Sequence, residues 1–245
     1  MLAVLVAGGC GGGGERGGAT SAAASPEGRG RQVLVAAVKG LEEGGYSYTM
    51  TIDQGTVTGA VDPSGKRRAR LESVASGVRF SLEGIVLGGG ERYFRTSIPA
   101  KGVSSAKWYR FDRTKVAKLG IIGLFETDDP TSSQQLADRV SGARVDGQGR
   151  IVGEYDLTRG GDLGVADGEG LAVLGERAKG VPFVATVDGQ GRLGSVRITV
   201  PAYGRHAART IAVDYRDQGR PVAIVAPKAG EVLPATAAVY SLLNN

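Results

Sequence analysis

Length, composition and charge place the chain among globular proteins. It has 245 residues, of which 41% are hydrophobic and 22% charged, and this is too hydrophobic for a disordered chain. Single copies of Cys and His exclude a disulfide framework and a zinc site built from these residues, and we expect no metal and no cofactor. The net charge is +5, but no aromatic ladder accompanies the basic residues, so we expect no nucleic-acid partner.

The N-terminus carries the most specific signal. Residues 1–7 are apolar but too few to span a bilayer, and small residues follow them up to Cys10. This pattern resembles the end of a secretory signal peptide with a bacterial lipobox, in which the Cys receives a lipid. We therefore expect residues 1–10 to be a signal-peptide remnant, residues 11–30 a flexible Gly-rich tether and residues 31–245 one folded domain. The alternative is an unmodified Cys in a Gly-rich arm.

The first half of the domain begins with a helix and continues with strands. Residues 31–43 carry Leu34, Val38 and Leu41 at helical spacing. From residue 46 the apolar period changes to two, which is typical of half-buried strands. Turn signals then separate six predicted strands, at residues 46–52, 56–61, 67–73, 78–84, 91–96 and 107–112. The basic run at residues 66–70 is interpreted as the solvated face of a strand.

The middle of the chain is again predicted to be helical, and the second half again consists mainly of predicted strands. Helical patterns cover residues 114–125 and 129–140, with Asp129 as the N-cap and Pro130 at the first helical position. A Gly-interrupted, weakly helical stretch covers residues 162–179. Further strands are predicted at residues 143–146, 150–157, 183–187, 193–200, 207–216 and 221–225, before a terminal helix at 236–243. The hexapeptide Val-Asp-Gly-Gln-Gly-Arg occurs at 145–150 and at 187–192, and we interpret both copies as hairpin turns.

No combination of residues points to a catalytic site. The chain has no Gly-Lys-Ser/Thr of a P-loop and no Gly-x-Ser-x-Gly nucleophile elbow. Ser104 and Lys107 match Ser-x-x-Lys, but the partner motifs of those enzymes are missing. A hydrolase would have to use His206 or a carboxylate pair. We therefore expect a protein that is not an enzyme and has no catalytic residues.

The order of elements predicts an α+β fold in which helices cover one face of a large antiparallel sheet. Together with secretion and a Cys tether, this resembles the actinobacterial lipoproteins of the LppX/LprG type. The segments that carry the resemblance are residues 108–112, 129–130, 134–140, 153–158 and 219–222, with Pro227. The resemblance implies a single, strongly curved half-barrel sheet with helices on its concave face, as in the LolA carriers of lipoproteins.

In some members of that family, acyl chains of lipids or glycolipids occupy the space between sheet and helices. The expected function is therefore that of a lipoprotein anchored to the extracytoplasmic face of the cell membrane, which binds and carries a lipid or glycolipid. The candidate lining residues are Phe80, Leu82, Trp108, Ile121, Ile122, Leu124, Phe125 and Phe183. The alternative is a cell-envelope lipoprotein with a filled core, acting as an interaction or sensing module for an unidentified protein partner.

Overall fold

The structure is a computed structural model that describes residues 26–52, 55–117, 122–159 and 168–244. Cys10, the predicted signal-peptide remnant and Ile121 lie outside these residues, and so does most of the predicted tether. The first described element is helix α1 (Pro26–Glu42), which begins ahead of the predicted start at residue 31. Pro is favoured at the first helical position because its missing N–H would have no partner there.

The described residues form twelve strands in one sheet. In chain order they are β1 (Tyr46–Ile52), β2 (Gly55–Val61), β3 (Arg67–Ala75), β4 (Val78–Val86), β5 (Arg92–Thr96), β6 (Trp108–Arg110), β7 (Val140–Val145), β8 (Ile151–Tyr155), β9 (Val181–Val187), β10 (Leu193–Val200), β11 (Arg209–Arg216) and β12 (Val232–Pro234). Their order across the sheet is β12-β6-β5-β4-β3-β2-β1-β11-β10-β9-β8-β7. Neighbours are antiparallel except β12 and β6, which run parallel.

The sheet is strongly curved and does not close, because β12 and β7 form its two edges. The right-handed twist between neighbouring strands accumulates over a sheet of this width. The predicted α+β class with one large antiparallel sheet is thereby confirmed.

Besides α1 and several short 3₁₀ turns, the described part contains four short α-helices. They are α2 (Gly123–Glu126), α3 (Leu136–Arg139), α4 (Gly168–Leu174) and α5 (Ala237–Leu243). Helix α1 packs against β7, β8 and β10, while α2 packs against β3 and β4. A Cβ at Gly30 would overlap the main chain of Ala143 in β7, so α1 approaches the sheet this closely only because position 30 is Gly.

Side chains along each strand alternate between two faces of the sheet. The face that contacts α1 and α2, here called the helix face, carries the main buried cluster, which includes Met50, Leu82 and Phe94. The opposite, or second, face carries a smaller buried cluster that includes Ile85 and Tyr93. The predicted helical positions Leu34, Val38 and Leu41 are buried in the main cluster, as expected.

A long connection crosses the second face between β11, beside β1, and β12, beside β6. The prediction of a strand at residues 221–225 is wrong, because this stretch of the connection joins no ladder. Ile224 instead packs against Ile85 and Trp108 of the sheet below it. Apolar residues in an extended segment can be buried on top of a sheet as well as within one, and the sequence pattern is the same in both cases.

The middle segment contains less helix than predicted. Helices α2 and α3 have four residues each, where continuous helices were expected over 114–125 and 129–140. The Asp129 carboxylate accepts hydrogen bonds from the backbone N–H groups of Ser133 at 2.9 Å and Gln134 at 2.8 Å. These bonds span four and five residues, so Asp129 closes a loop and does not cap a helix.

Both copies of the repeated hexapeptide form the predicted hairpin turns. Asp146 accepts hydrogen bonds from the N–H groups of Gln148 and Arg150, both at 2.9 Å. Asp188 forms the matching bonds in the second copy. Gly149 has a φ of 77°, a left-handed conformation that Gly adopts without steric cost.

Candidate functional site

The structure brings six of the eight predicted lining residues to one side of the sheet. Leu82, Ile122, Phe125 and Phe183 lie in the main buried cluster, and Phe80 and Leu124 pack against its margin as partly buried side chains. Leu71 is another partly buried side chain of this margin, and it lies diagonally across from Phe80 on the helix face. Apolar surface therefore remains partly accessible at this margin.

Trp108, also predicted to line the cavity, lies on the second face. Its neighbour Tyr109 belongs to the main buried cluster, whereas Trp108 packs with Ile85 and Ile224. The guanidinium of Arg95 lies over the indole, 4.5 Å from the ring centroid. Trp108 is therefore separated by the sheet from the other predicted residues, and we leave it out of the candidate site.

A trough of small residues crosses the helix face at the centre of the candidate site. Gly59 of β2 is in register with Ala69 of β3, which is in register with Gly84 of β4. Tyr48 of β1 lies beside Gly59, and a Cβ at position 59 would overlap its phenol ring. A Cβ at position 84 would overlap the ring of Phe125. Aromatic rings thus cover both ends of the trough.

A buried arginine holds the segment that carries Phe125. The Nε of Arg67 donates to the carbonyl oxygen of Phe125 at 3.0 Å, and its Nη2 donates to that of Glu126 at 3.0 Å. Arg67 also forms an ion pair of 2.6 Å with Asp128. The prediction that the whole basic run is solvated is therefore wrong at Arg67, because the strand period turns it to the helix face.

The carboxylate of Glu126 fixes the same segment from a second side. It is nearly buried and accepts a hydrogen bond of 3.0 Å from the Nε of Arg92 in β5. Arg113 lies 3.7 Å from the same carboxylate. Two arginines of the sheet, Arg67 and Arg92, thus bind the main chain and the side chain at the C-terminal end of α2.

Three tyrosines form a buried cluster next to the trough. The ring centroid of Tyr46 lies 6.2 Å from that of Tyr48 and 5.9 Å from that of Tyr215. Burial, with a smaller contribution from the nearby Asp129 carboxylate, raises the pKa of Tyr46 to about 12. Burial also raises the pKa values of Tyr48 and Tyr215, so all three remain neutral phenols at physiological pH.

On the second face, one buried carboxylate organises several arginines. The side chain of Glu83 is 3% exposed and pairs with Arg68 and, at 2.5 Å, with Arg95. Arg70 lies 3.7 Å from it. Burial by itself would raise the pKa of Glu83, but the hydrogen bonds from Arg95 and Arg68 outweigh it and hold the pKa below its usual value.

Two surface depressions lie away from the predicted lining residues. One, of about 140 Å³, is bordered by Leu41, Tyr46 and Ser133. The other, of about 370 Å³, is open to solvent and is bordered by Arg92, Arg110, Lys115, Asp112 and Tyr240 at the ends of β5 and β6. None of the predicted residues borders either depression.

The residues considered for catalysis are not brought together. The Nζ of Lys107 donates to the carbonyl oxygen of Gly230 at 2.9 Å, and the Oγ of Ser104 caps its own turn. His206 is exposed and lies against Tyr203, with ring centroids 4.9 Å apart. Within the described ranges, no group of three His, Cys, Asp or Glu side chains is placed to hold a metal ion. The described helices include none that is long and apolar enough to cross a membrane.

Tyr48, Arg67 and Gly84 were missed by the sequence analysis. The signal for Arg67 was present, since the period of β3 places it in line with Ala69 and Leu71. The roles of Tyr48 and Gly84 depend on contacts between strands and with α2, which carry no local signal. Comparisons with protein-family models and with curated protein sequences found no match for this chain.

Proposed function

We propose that this protein is anchored through Cys10 to the extracytoplasmic face of the cell membrane and binds and carries a lipid or glycolipid. The ligand would lie in an apolar space between the curved sheet and the helices that cover its concave face. The observation that carries the proposal is the thin cover over the trough. Among the described helices, the one that packs against β3 and β4 is α2, which has four residues and is clamped by Arg67 and Arg92.

The chemistry of this region suits an acyl chain. Apart from Arg67, which is bonded to the α2 segment, the side chains around the trough are apolar or aromatic, and ligand sites for apolar molecules are lined in this way. Phe80 and Leu124 are partly accessible at the margin, where a chain would enter. Burial of a chain is favourable by about 25 cal/mol per Å² of apolar surface removed from water, without any catalytic group.

Native mass spectrometry of the full chain, produced in a host that lipidates it and purified gently, tests the proposal. We expect an additional bound lipid mass that organic solvent releases. Phe80→Lys places a charge at the margin and should lower the bound fraction several-fold. Val74→Lys is the matched control, because Val74 is exposed on the second face of the neighbouring strand.

Two outcomes would count against lipid binding. One is a wild-type protein that carries no lipid and takes up none from vesicles. The other is an equal loss of bound lipid in Phe80→Lys and Val74→Lys, which would place the lipid elsewhere. Retention of a protein partner by lipid-free wild type would favour an interaction module.

A further inference from the structure

The hydroxyl of Tyr48 is buried and has no hydrogen-bond partner among the described residues. Tyr48 is 3% exposed, so the hydroxyl has also lost its contacts with water. Such a group is costly, and most buried hydroxyls in proteins are paired. Phe at this position would fill the same space without the cost.

The unpaired hydroxyl lies at one end of the trough. The phenol oxygen and its ring carbon are among the atoms that a Cβ at Gly59 would overlap, so the hydroxyl lies over β2. The next residues across the sheet are Ala69 and Gly84, which offer no polar side-chain atom. The Tyr48 hydroxyl is thus an unpaired hydrogen-bond donor at the trough, whereas Arg67, next to Ala69 on the same face, already donates to Phe125 and Glu126.

The ring of Phe125 occupies the other end of the trough, over Gly84. The hydrogen bonds from Arg67 hold the carbonyl groups of this segment, whereas the ring is held by packing, including that against Phe94 with ring centroids 6.3 Å apart. Rotation of the side chain would uncover Gly84 and leave these hydrogen bonds intact.

We propose that the ligand's alkyl chain binds in the trough over Gly59, Ala69 and Gly84. The ring of Phe125 fills this trough in the ligand-free protein. When the ligand is bound, the Tyr48 hydroxyl donates a hydrogen bond to an oxygen within the alkyl chain. This inference rests on the proposed function and deepens it. The ligand class is a long-chain lipid with a keto, ester or hydroxyl oxygen within its chain. A chain without this oxygen leaves the hydroxyl unpaired and binds more weakly.

Calorimetric titration of the delipidated full chain with stearate and with a positional series of ketostearates tests the inference. One member of the series should bind wild type about tenfold more tightly than stearate, as expected for one well-placed hydrogen bond. Tyr48→Phe should bind that member and stearate equally, and its melting temperature should be unchanged or higher. A lower melting temperature would mean that the hydroxyl has a partner in the free protein and would overturn the inference.

Phe125→Ala tests the role of the ring. It should bind stearate about tenfold more tightly, because no side chain has to be displaced. Leu193→Ala is the control, since Leu193 is buried in the same cluster on β10, away from the trough and outside the candidate site, and should bring no gain. Phe125→Leu replaces the alanine variant if that variant does not fold.

The failures can be told apart. Wild type that binds stearate without preferring any ketostearate, or an affinity unchanged by Phe125→Ala, overturns this inference and leaves the proposed function standing. No binding of any of these lipids to wild type or to Phe125→Ala overturns both.

Discussion

The ring of Phe125 lies directly on the main chain of Gly84, so closely that a Cβ at position 84 would overlap it. Gly84→Ala should therefore displace the ring and lower the free energy of unfolding by about 1–3 kcal/mol, the usual cost of overpacking a core. Urea denaturation measures this loss.

Gly40→Ala is the control for this substitution. Position 40 lies in α1 and has open space around it, so the added methyl group meets nothing. The free energy of unfolding should rise by about 0.4–1 kcal/mol, because Ala favours helix and restricts the unfolded chain. Equal effects of the two substitutions would contradict the close packing of Phe125 on Gly84.

Arg67→Lys should destabilise the protein although the charge is kept. A lysine ammonium cannot reproduce the planar fork that bonds the carbonyl oxygens of Phe125 and Glu126 at 3.0 Å. We expect a loss of about 2–3 kcal/mol in the free energy of unfolding, because buried carbonyl groups lose charged donors.

Arg70→Lys provides the comparison for Arg67→Lys from the same strand. Arg70 is 40% exposed, pairs with Glu72 at the surface and lies 3.7 Å from Glu83, contacts that a lysine ammonium can keep. Its replacement should change the free energy of unfolding by less than about 0.5 kcal/mol. A loss at position 67 no greater than that at position 70 would refute the clamping role of Arg67.

Glu83 should make stability depend on pH in the acidic range. The hydrogen bonds from Arg95 and Arg68 hold its folded-state pKa below the ordinary value of 4.5, so the folded state favours the ionised form. The stabilisation is complete above pH 4.5 and is lost as the pH falls through the lower folded pKa. Glu83→Gln should lower the free energy of unfolding at neutral pH. Urea denaturation at a series of acidic pH values should also show a weaker loss of stability with falling pH than in wild type.

Glu72→Gln controls for a carboxylate at the surface. Glu72 is 59% exposed and pairs only with Arg70 among the described residues. An exposed ion pair contributes about 0–1 kcal/mol to the free energy of unfolding, so this variant should lose stability at acidic pH as wild type does. If Glu83→Gln loses as much stability at acidic pH as wild type does, the pH dependence comes from other carboxylates.

Cys10→Ser should abolish lipid attachment. The lipobox pattern predicts that a palmitate analogue fed to the producing cells labels the wild-type chain through Cys10. The serine variant has no thiol to accept the lipid. Equal labelling of both proteins on a gel would refute the lipobox assignment.

The sequence predicted the strands well where local signals and burial agree. Tyr46, Tyr48 and Met50 are buried on one side of β1 as expected, Ile52 is partly buried there, and the repeated hexapeptide forms two hairpin turns. The prediction of a strand at 221–225 failed because this segment packs on the surface of the sheet and is not one of its strands. The prediction of a helix at 129–140 failed because the Asp129 carboxylate accepts hydrogen bonds within a loop. The local rules for helix capping do not distinguish such a loop from the start of a helix.

The sequence by itself determined the class of fold and the apolar residues of the core, because these depend on composition and on local period, and the processing site at Cys10 stays its prediction. Only the tertiary structure decided which of these residues meet. It separates Trp108 from Phe125 by the thickness of the sheet, and it aligns Gly59, Ala69 and Gly84 on three neighbouring strands. Strand register sets such contacts, and register is a property of the assembled sheet.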